Sequence, residues 1–278
     1  MDRTSKNVDQ LYRHVANDLL NSGEVVNGTR ELNNVKLILT DITKNIVSIR
    51  DISPSYLFGE WLWYINGDDS LEFISNFSSF WKNISDDGKT CNSAYGYLIQ
   101  HKHGFDQADK VVELLRKDPE SRRAKININT PNEHVIETKD EPCTMSLHFM
   151  IRDGKLHCTA VMRSNDIWFG FPYDVAFFTE LQKMIAEKLH VGYGTYTHFA
   201  VSLHVYDRDA GNLRKVALQY IPSKPIIFNR SLFFDRNINR YLYEIAKKSG
   251  KEALMAEMSL LGIYDDQNNG QSNGQKGK

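Results

Sequence analysis

The chain has 278 residues, 41% of them hydrophobic and 25% charged, with a formal net charge of −1. That length buries a sizeable core, and the near-neutral balance gives no bulk-charge signal for nucleic-acid or membrane binding. No apolar run approaches the roughly 20 residues of a membrane span, and Met1 to Asp9 carry no apolar signal-peptide core.

In chain order, Asp9 to Leu20 reads as an amphipathic helix with Leu11, Val15 and Leu19 on one face. Val35 to Leu39 reads as a strand. Ser53-Pro54 pairs a good N-cap with Pro at the first helical position, and predicts a helix through Glu60, Trp61 and Trp63 to Gly67. Asp106 to Lys117 is a third helix, ended before Pro119. Ala124 to Asn129 alternates like a half-buried strand. Ser146 to Arg152 and Lys155 to Met162 flank Asp153-Gly154, a hairpin signal. Phe177 to Leu189 is a mostly apolar helix, Tyr196 to Val205 a strand, and Ile238 to Lys247 and Glu252 to Leu260 two short helices. Strands and helices mix without a βαβ rhythm, which predicts an α+β fold. One domain is expected over residues 8–264. The tail, Asp265 to Lys278, is rich in Gln, Asn, Gly and Lys and is expected to be disordered. Cys91, Cys143 and Cys158 show no metal-ligand or redox spacing, so reduced thiols in a cytoplasmic protein, without a metal, are the expectation.

Several groupings could carry chemistry. Pro142-Cys143 precedes a strand, where a lone Cys is commonly a small buried hydrophobe. Arg163-Ser164-Asn165-Asp166 crowds anion-binding and polar groups at a strand end, although a solvated turn has the same composition. Arg122-Arg123 can fork onto a phosphate or simply form a charged connector. Glu60 lies among Trp, Leu and Tyr. A carboxyl group in such company acquires a raised pKa and can exchange protons near neutrality; the alternative is an exposed helix face. His204-Val205-Tyr206 puts two polar-tipped rings on one side of a strand.

Read in order, these groupings change weight. Glu60-Trp61-Leu62-Trp63-Tyr64-Ile65-Asn66-Gly67-Asp68, Tyr95-Gly96, Asp118-Pro119-Glu120-Ser121-Arg122-Arg123 and Pro142-Cys143 are followed by Arg163-Ser164-Asn165-Asp166, Gly170-Phe171-Pro172-Tyr173-Asp174-Val175-Ala176 and His204-Val205-Tyr206. The succession resembles the thymidylate synthase family, which includes the pyrimidine nucleotide hydroxymethylases, from about residue 8 to about residue 230. The resemblance implies a mixed sheet flanked by helices, with sheets stacked back to back in a homodimer. It implies Cys143 as the nucleophile that adds to C6 of the pyrimidine, with Arg163 lowering the thiol pKa. Arg163 and Ser164 would hold the nucleotide phosphate, joined by Arg122 and Arg123 from a partner subunit. His204 and Tyr206 would hold the sugar hydroxyl. Glu60 would manage protons and ordered water. Tyr95 would line the nucleophile's surroundings, while Asp166 and Trp81 would face the folate. The one-carbon donor implied is 5,10-methylenetetrahydrofolate.

Departures from the pattern are informative. Synthases usually carry Asn where this chain has Asp174. An Asn amide donates to uracil O4 and accepts from uracil N3-H, whereas a carboxyl group suits the reversed pattern of cytosine. This exchange resembles the deoxycytidylate and cytidylate hydroxymethylases and points to a cytosine nucleotide, dCMP ahead of CMP; the alternative is a carboxyl that still serves uracil. Thr144 replaces a His, Met162 a Gln and Ser202 an acidic residue. Val26 aligns with a phosphate-loop Arg, with Arg30 the nearest basic residue. A polar tail replaces the apolar C-terminus that excludes water in a synthase, which favours hydration of the intermediate and a hydroxymethyl product. The rival readings are reductive methylation of dUMP or dCMP, dUMP hydroxymethylation, and an idle nucleotide or RNA binder.

Overall fold

The computed structural model describes residues 1–129, 137–219 and 221–265. The predicted tail lies outside the described residues from position 266 onward. The chain opens with β1 (Asp2–Ser5), α1 (Val8–Ser22), β2 (Glu24–Val26) and β3 (Thr29–Leu39). Five helices follow: α2 (Pro54–Ile65), α3 (Leu71–Ser75), α4 (Phe80–Ile84), α5 (Tyr95–Gln100) and α6 (Gln107–Lys117). Next come β4 (Lys125–Asn127), β5 (Thr144–Arg152), β6 (Lys155–Asp166), α7 (Phe171–Leu189) and β7 (Gly192–Tyr206). The described chain finishes with α8 (Asp207–Leu218), α9 (Arg230–Phe233) and α10 (Arg236–Leu260).

The strands form one mixed seven-stranded sheet in the order β1-β3-β7-β6-β5-β4, with β2 beside β3. β6 and β7 run parallel, while β5 and β6 are antiparallel. Helix α7 packs on β6 and β7, and α1 on β3. The covered face buries Val35, Leu37 and Leu39 of β3, Leu156, Cys158, Ala160 and Met162 of β6, and Tyr196, His198 and Ala200 of β7. On the other face Val161 and Phe199 are half-buried, and Met150 and Val201 are exposed.

Local signals account for most boundaries. Ser53 caps α2 through its hydroxyl, which accepts from Tyr56 N, and Pro54 opens the helix. Asp106 caps α6 in the same manner. Asp153 and Gly154 both take positive φ, 50° and 68°, as a two-residue hairpin requires. Gly250 at φ 78° breaks α10 between the two short helices the sequence predicts. Some boundaries differ. α7 starts at Phe171 rather than Phe177, because Pro172 in its first turn is compatible with a helix start. β3 starts at Thr29, because its polar first residues pair with β2 across the Asn27-Gly28 turn. α8 lies beyond the predicted elements; its exposed side is highly polar.

The topology brings one end of the sheet together. β6 and β7 end side by side, with Ser164 opposite Ser202 and Asp166 opposite His204. β5 begins at that same end, with Thr144 opposite Met162. At Asn34, in the left-handed region at φ 55°, the regular alternation of the β3–β7 pair changes phase. Tyr196, His198 and Ala200 are buried before it, and Leu203 and Val205 after it. His204 and Tyr206 are left half-buried and exposed at the rim.

Candidate active site

Cys143 sits immediately before β5 and is half-buried. Arg163, next door on β6, ties down the loop that carries it. Arg163 N donates to Cys143 O at 2.9 Å. Its guanidinium donates to Pro142 O (3.1 Å) and Glu141 O (2.8 Å), and lies 3.7 Å from the Glu141 carboxylate. Asp140 anchors the same loop by accepting from Ser93 N at 3.0 Å and from the Ser93 hydroxyl. Burial pushes the Cys143 thiol up to about 11, against the pull of Arg163, and Asp174, Asp140 and Glu141 add to the rise. Arg163 lowers this pKa, as expected, but desolvation outweighs it in the free protein. The resting group is a thiol at neutral pH.

Glu60 lies inside the protein, not on an exposed helix face. Tyr56, Glu60 and Tyr64 repeat every four residues, so they share one side of α2. Glu60 Oε1 accepts from Tyr56 OH at 2.8 Å and from Tyr64 OH at 3.4 Å. Trp81 Nε1 donates in turn to Tyr56 OH at 3.2 Å. Burial pushes Glu60 up to about 8; the Tyr56 hydrogen bond opposes this, the nearby Asp174 reinforces it, and Tyr64 opposes it. Close helix packing holds the group in place. A Cβ on Gly96 would stand 2.0 Å from Tyr64 O, so only glycine lets α5 approach α2 this closely. Tyr95 is buried there, stacked on Tyr64 with ring centroids 5.4 Å apart.

Asp174 occupies the first turn of α7. Its Oδ2 accepts from Asn165 Nδ2 at 2.7 Å. Burial pushes its carboxyl group up to about 7, against the Asn165 hydrogen bond and with some help from Asp166. Ser164 Oγ and His204 Nδ1 are 3.4 Å apart. The Tyr206 ring stands edge-on to His204, with centroids 5.2 Å apart. Asp166 accepts from Trp168 N at 2.7 Å, and burial raises its pKa. Burial lowers that of His204, while Asp166 pulls it up. A thiol, two proton-exchanging carboxyl groups, a guanidinium and a hydroxyl–imidazole pair thus meet at one end of the sheet.

Comparison with known sequences places the chain in a family. The thymidylate synthase family profile matches residues 10–238. The chain belongs to the thymidylate synthase family. It is 29% identical over 222 residues to the deoxyuridylate hydroxymethyltransferase of Bacillus phage SP01, covering 73% of this chain and 58% of that one. It is also 29% identical over 161 residues to the deoxyuridylate hydroxymethyltransferase of Pseudomonas phage M6, covering 57% and 46%. A putative thymidylate synthase of Methanocaldococcus jannaschii is 39% identical over 116 residues, covering 40% and 52%. The chain spans about half the length of the curated relatives it matches.

Within this family frame, some marked residues stand apart. Arg122 and Arg123 lie between α6 and β4, and both are exposed. β4 pairs antiparallel with β5, with Lys125 opposite His148. Arg123 is therefore level with the far end of β5, about seven residues or roughly 23 Å from Cys143 of its own chain. Arg30 pairs with Val205, and directly paired residues share a face, so Arg30 lies on the opposite face from His204 and Tyr206. Two departures from the family pattern touch: the Thr144 hydroxyl donates to Met162 Sδ at 3.2 Å. No helix among the described residues is long and apolar enough to cross a membrane, and no group of three or more His, Cys, Asp or Glu could hold a metal among them.

The structure adds residues that sequence reading does not mark. Tyr56 was available from its spacing to Glu60. Arg50 is buried, with Nε and Nη1 lacking hydrogen-bond partners among the described residues and the guanidinium 4.6 Å above the Trp168 ring. Asn165 falls within a marked motif, yet its bond to Asp174 is not signalled by spacing.

Proposed function

We propose that this chain transfers a one-carbon unit to C5 of a pyrimidine nucleotide and yields a 5-hydroxymethyl product, with cytosine as the preferred base and dCMP ahead of CMP. The observation that carries the base assignment is Asp174, a half-buried carboxyl group at the head of α7 whose pKa is pushed up to about 7. Near neutrality its protonated form is populated. One oxygen then donates to cytosine N3 and the other accepts from the 4-amino group, which an Asn amide in uracil-binding orientation does not do.

In this reading Cys143 Sγ forms a bond to C6 as its proton leaves, and C5 becomes a carbon nucleophile. Arg163 favours the thiolate once substrate binding has begun. Glu60, poised at about 8, moves protons at the ring and positions water for hydration. Arg163 and Ser164 bind the phosphate, His204 and Tyr206 bind the sugar hydroxyl, and Tyr95 lines the nucleophile's surroundings. Methylenetetrahydrofolate supplies the one-carbon unit. The residues fit a folate: Asp166 offers a carboxyl group that accepts from the Trp168 backbone N–H, and Trp81 donates to Tyr56 on the Glu60 side.

The catalytic unit is residues 8–264, working in the cytoplasm as a homodimer. Two observations support the dimer. The uncovered sheet face exposes Val201 and Met150, and Arg122 and Arg123 can reach a phosphate only at a second copy's site, given their distance from their own Cys143. A second reading, hydroxymethylation of dUMP, draws support from the names of the two phage relatives. Parallel reactions with CMP, dCMP and dUMP test the choice. Turnover of dUMP with none of either cytidylate overturns the Asp174 argument.

A further inference from the structure

Behind Asp174 runs a line of buried polar groups that the proposed chemistry does not use. Tyr196 OH lies 2.9 Å from His198 Nδ1, His198 Nε2 lies 3.1 Å from Asn165 Oδ1, and Asn165 Nδ2 lies 2.7 Å from Asp174 Oδ2. Tyr196, His198 and Asn165 are all buried. Tyr196 and His198 face the same side of β7, and Asn165 sits near the end of the adjacent β6, opposite Leu203, from where its side chain reaches His198. The Phe171 ring packs edge-on to His198 with centroids 5.0 Å apart. Gly170 seals the last link, since a Cβ there would lie 3.0 Å from Asn165 Nδ2 and 3.4 Å from Asp174 Oδ2.

The donors and acceptors in this line can be assigned by elimination. Asn165 Oδ1 only accepts, so His198 Nε2 carries the hydrogen. Burial pushes His198 down to about 3, so its ring is neutral and Nδ1 is bare. Nδ1 therefore accepts from Tyr196 OH. The reverse order would strand the Tyr196 hydroxyl hydrogen, because that group has no other hydrogen-bond partner among the described residues and an unmade buried bond is costly.

We propose that Tyr196, His198 and Asn165 form a one-way hydrogen-bond relay that keeps Asp174 Oδ2 an acceptor, confines the acid proton of Asp174 to Oδ1, and thereby sets the hydrogen-bond polarity this carboxyl group presents to a base. These three are positioning residues, and their effect on specificity rests on the reading that Asp174 faces the pyrimidine. With the relay intact, the carboxyl group has one donor side and one acceptor side. With it broken, the proton can occupy either oxygen, and the site accepts both base patterns.

The test is the ratio of kcat/KM for dCMP to that for dUMP in wild type, Asn165→Leu, His198→Leu, His198→Gln, Tyr196→Phe and Asp174→Asn, with thermal melts run alongside. The relay predicts that the ratio moves toward one by at least about tenfold in Asn165→Leu and His198→Leu, and by about threefold in Tyr196→Phe. His198→Gln, whose amide can still donate to Asn165, restores most of the wild-type ratio. Folded variants that lose activity equally on both bases overturn the relay. If the two leucine variants do not fold, Tyr196→Phe decides alone, and an unchanged ratio there overturns it. Asp174→Asn separates the two ideas. If it moves the ratio while the relay variants do not, only the relay fails; if it leaves the ratio unchanged, the reading of Asp174 fails as well.

Discussion

Helix α7 carries two carboxyl groups with opposite surroundings, Glu180 buried and Asp174 half-buried. Glu180, in the middle of the helix, is held by Lys183, by Asn45 Nδ2 at 3.1 Å and by Arg230 Nε at 2.6 Å. Arg230 extends the cluster to Glu187 at 2.7 Å. Asp174, in the first turn of the same helix, forms no ion pair among the described residues and has one amide for a partner. Glu60 across the site resembles Asp174, with two tyrosine hydroxyls and no cation partner among the described residues. Removing a buried carboxylate matched with cations leaves those cations uncompensated and destabilises the fold. A carboxyl group that burial alone acts upon takes up a proton near neutrality. The difference separates bracing from chemistry more clearly than burial does.

The largest effect expected is on turnover. Glu60→Gln lowers kcat by at least about a hundredfold, measured by initial rates, while its melting temperature stays level or rises. Glu180→Leu reverses that pattern. It leaves Lys183 buried without a carboxylate partner and Arg230, half-buried, with Glu187 alone, and costs about 3 kcal/mol in urea unfolding, with kcat of the folded protein near wild type. A variant of Glu180 that kept its stability would break the comparison.

Next in size is a pH effect. Folding raises Asp174 from 3.8 to about 7 and Glu60 from 4.5 to about 8. The folded state therefore binds these protons more tightly than the unfolded state. Their contribution to stability is complete below the lower value of each pair and is lost as pH rises through the upper one. Unfolding free energy should fall between about pH 4 and about pH 8, by on the order of 4 kcal/mol for each group, and Asp174→Asn should remove its share of that fall. Smallest is Tyr56→Phe. It deletes a hydrogen bond that favours the ionised Glu60, so the Glu60-dependent limb of the pH–rate profile should move upward, by less than about one pH unit.

What the sequence discloses divides along the same line. Cys143, Arg163, Asp174, His204 and Tyr206 are legible because motif order survives in one dimension. The caps at Ser53 and Asp106 and the turn at Asp153-Gly154 are legible because they are local. Asn27-Gly28 carries an equally local hairpin signal. The surroundings of each carboxyl group are not legible. Glu180 meets Asn45 and Arg230 from distant parts of the chain, and the side chain of Asn165 meets His198 although the β6–β7 register sets Asn165 opposite Leu203 and His198 opposite Ala160. Whether Glu60 is buried depends on α5 closing over α2 at Gly96. The net pKa of Cys143 depends on a balance between desolvation and Arg163 that spacing cannot supply.

Product mass from parallel incubations of CMP, dCMP and dUMP with methylenetetrahydrofolate tests the central claim most directly. The account predicts that dCMP gains one CH2O unit fastest and that dihydrofolate does not accumulate. Gain of a CH2 unit with dihydrofolate release, or reaction of dUMP alone, would contradict it.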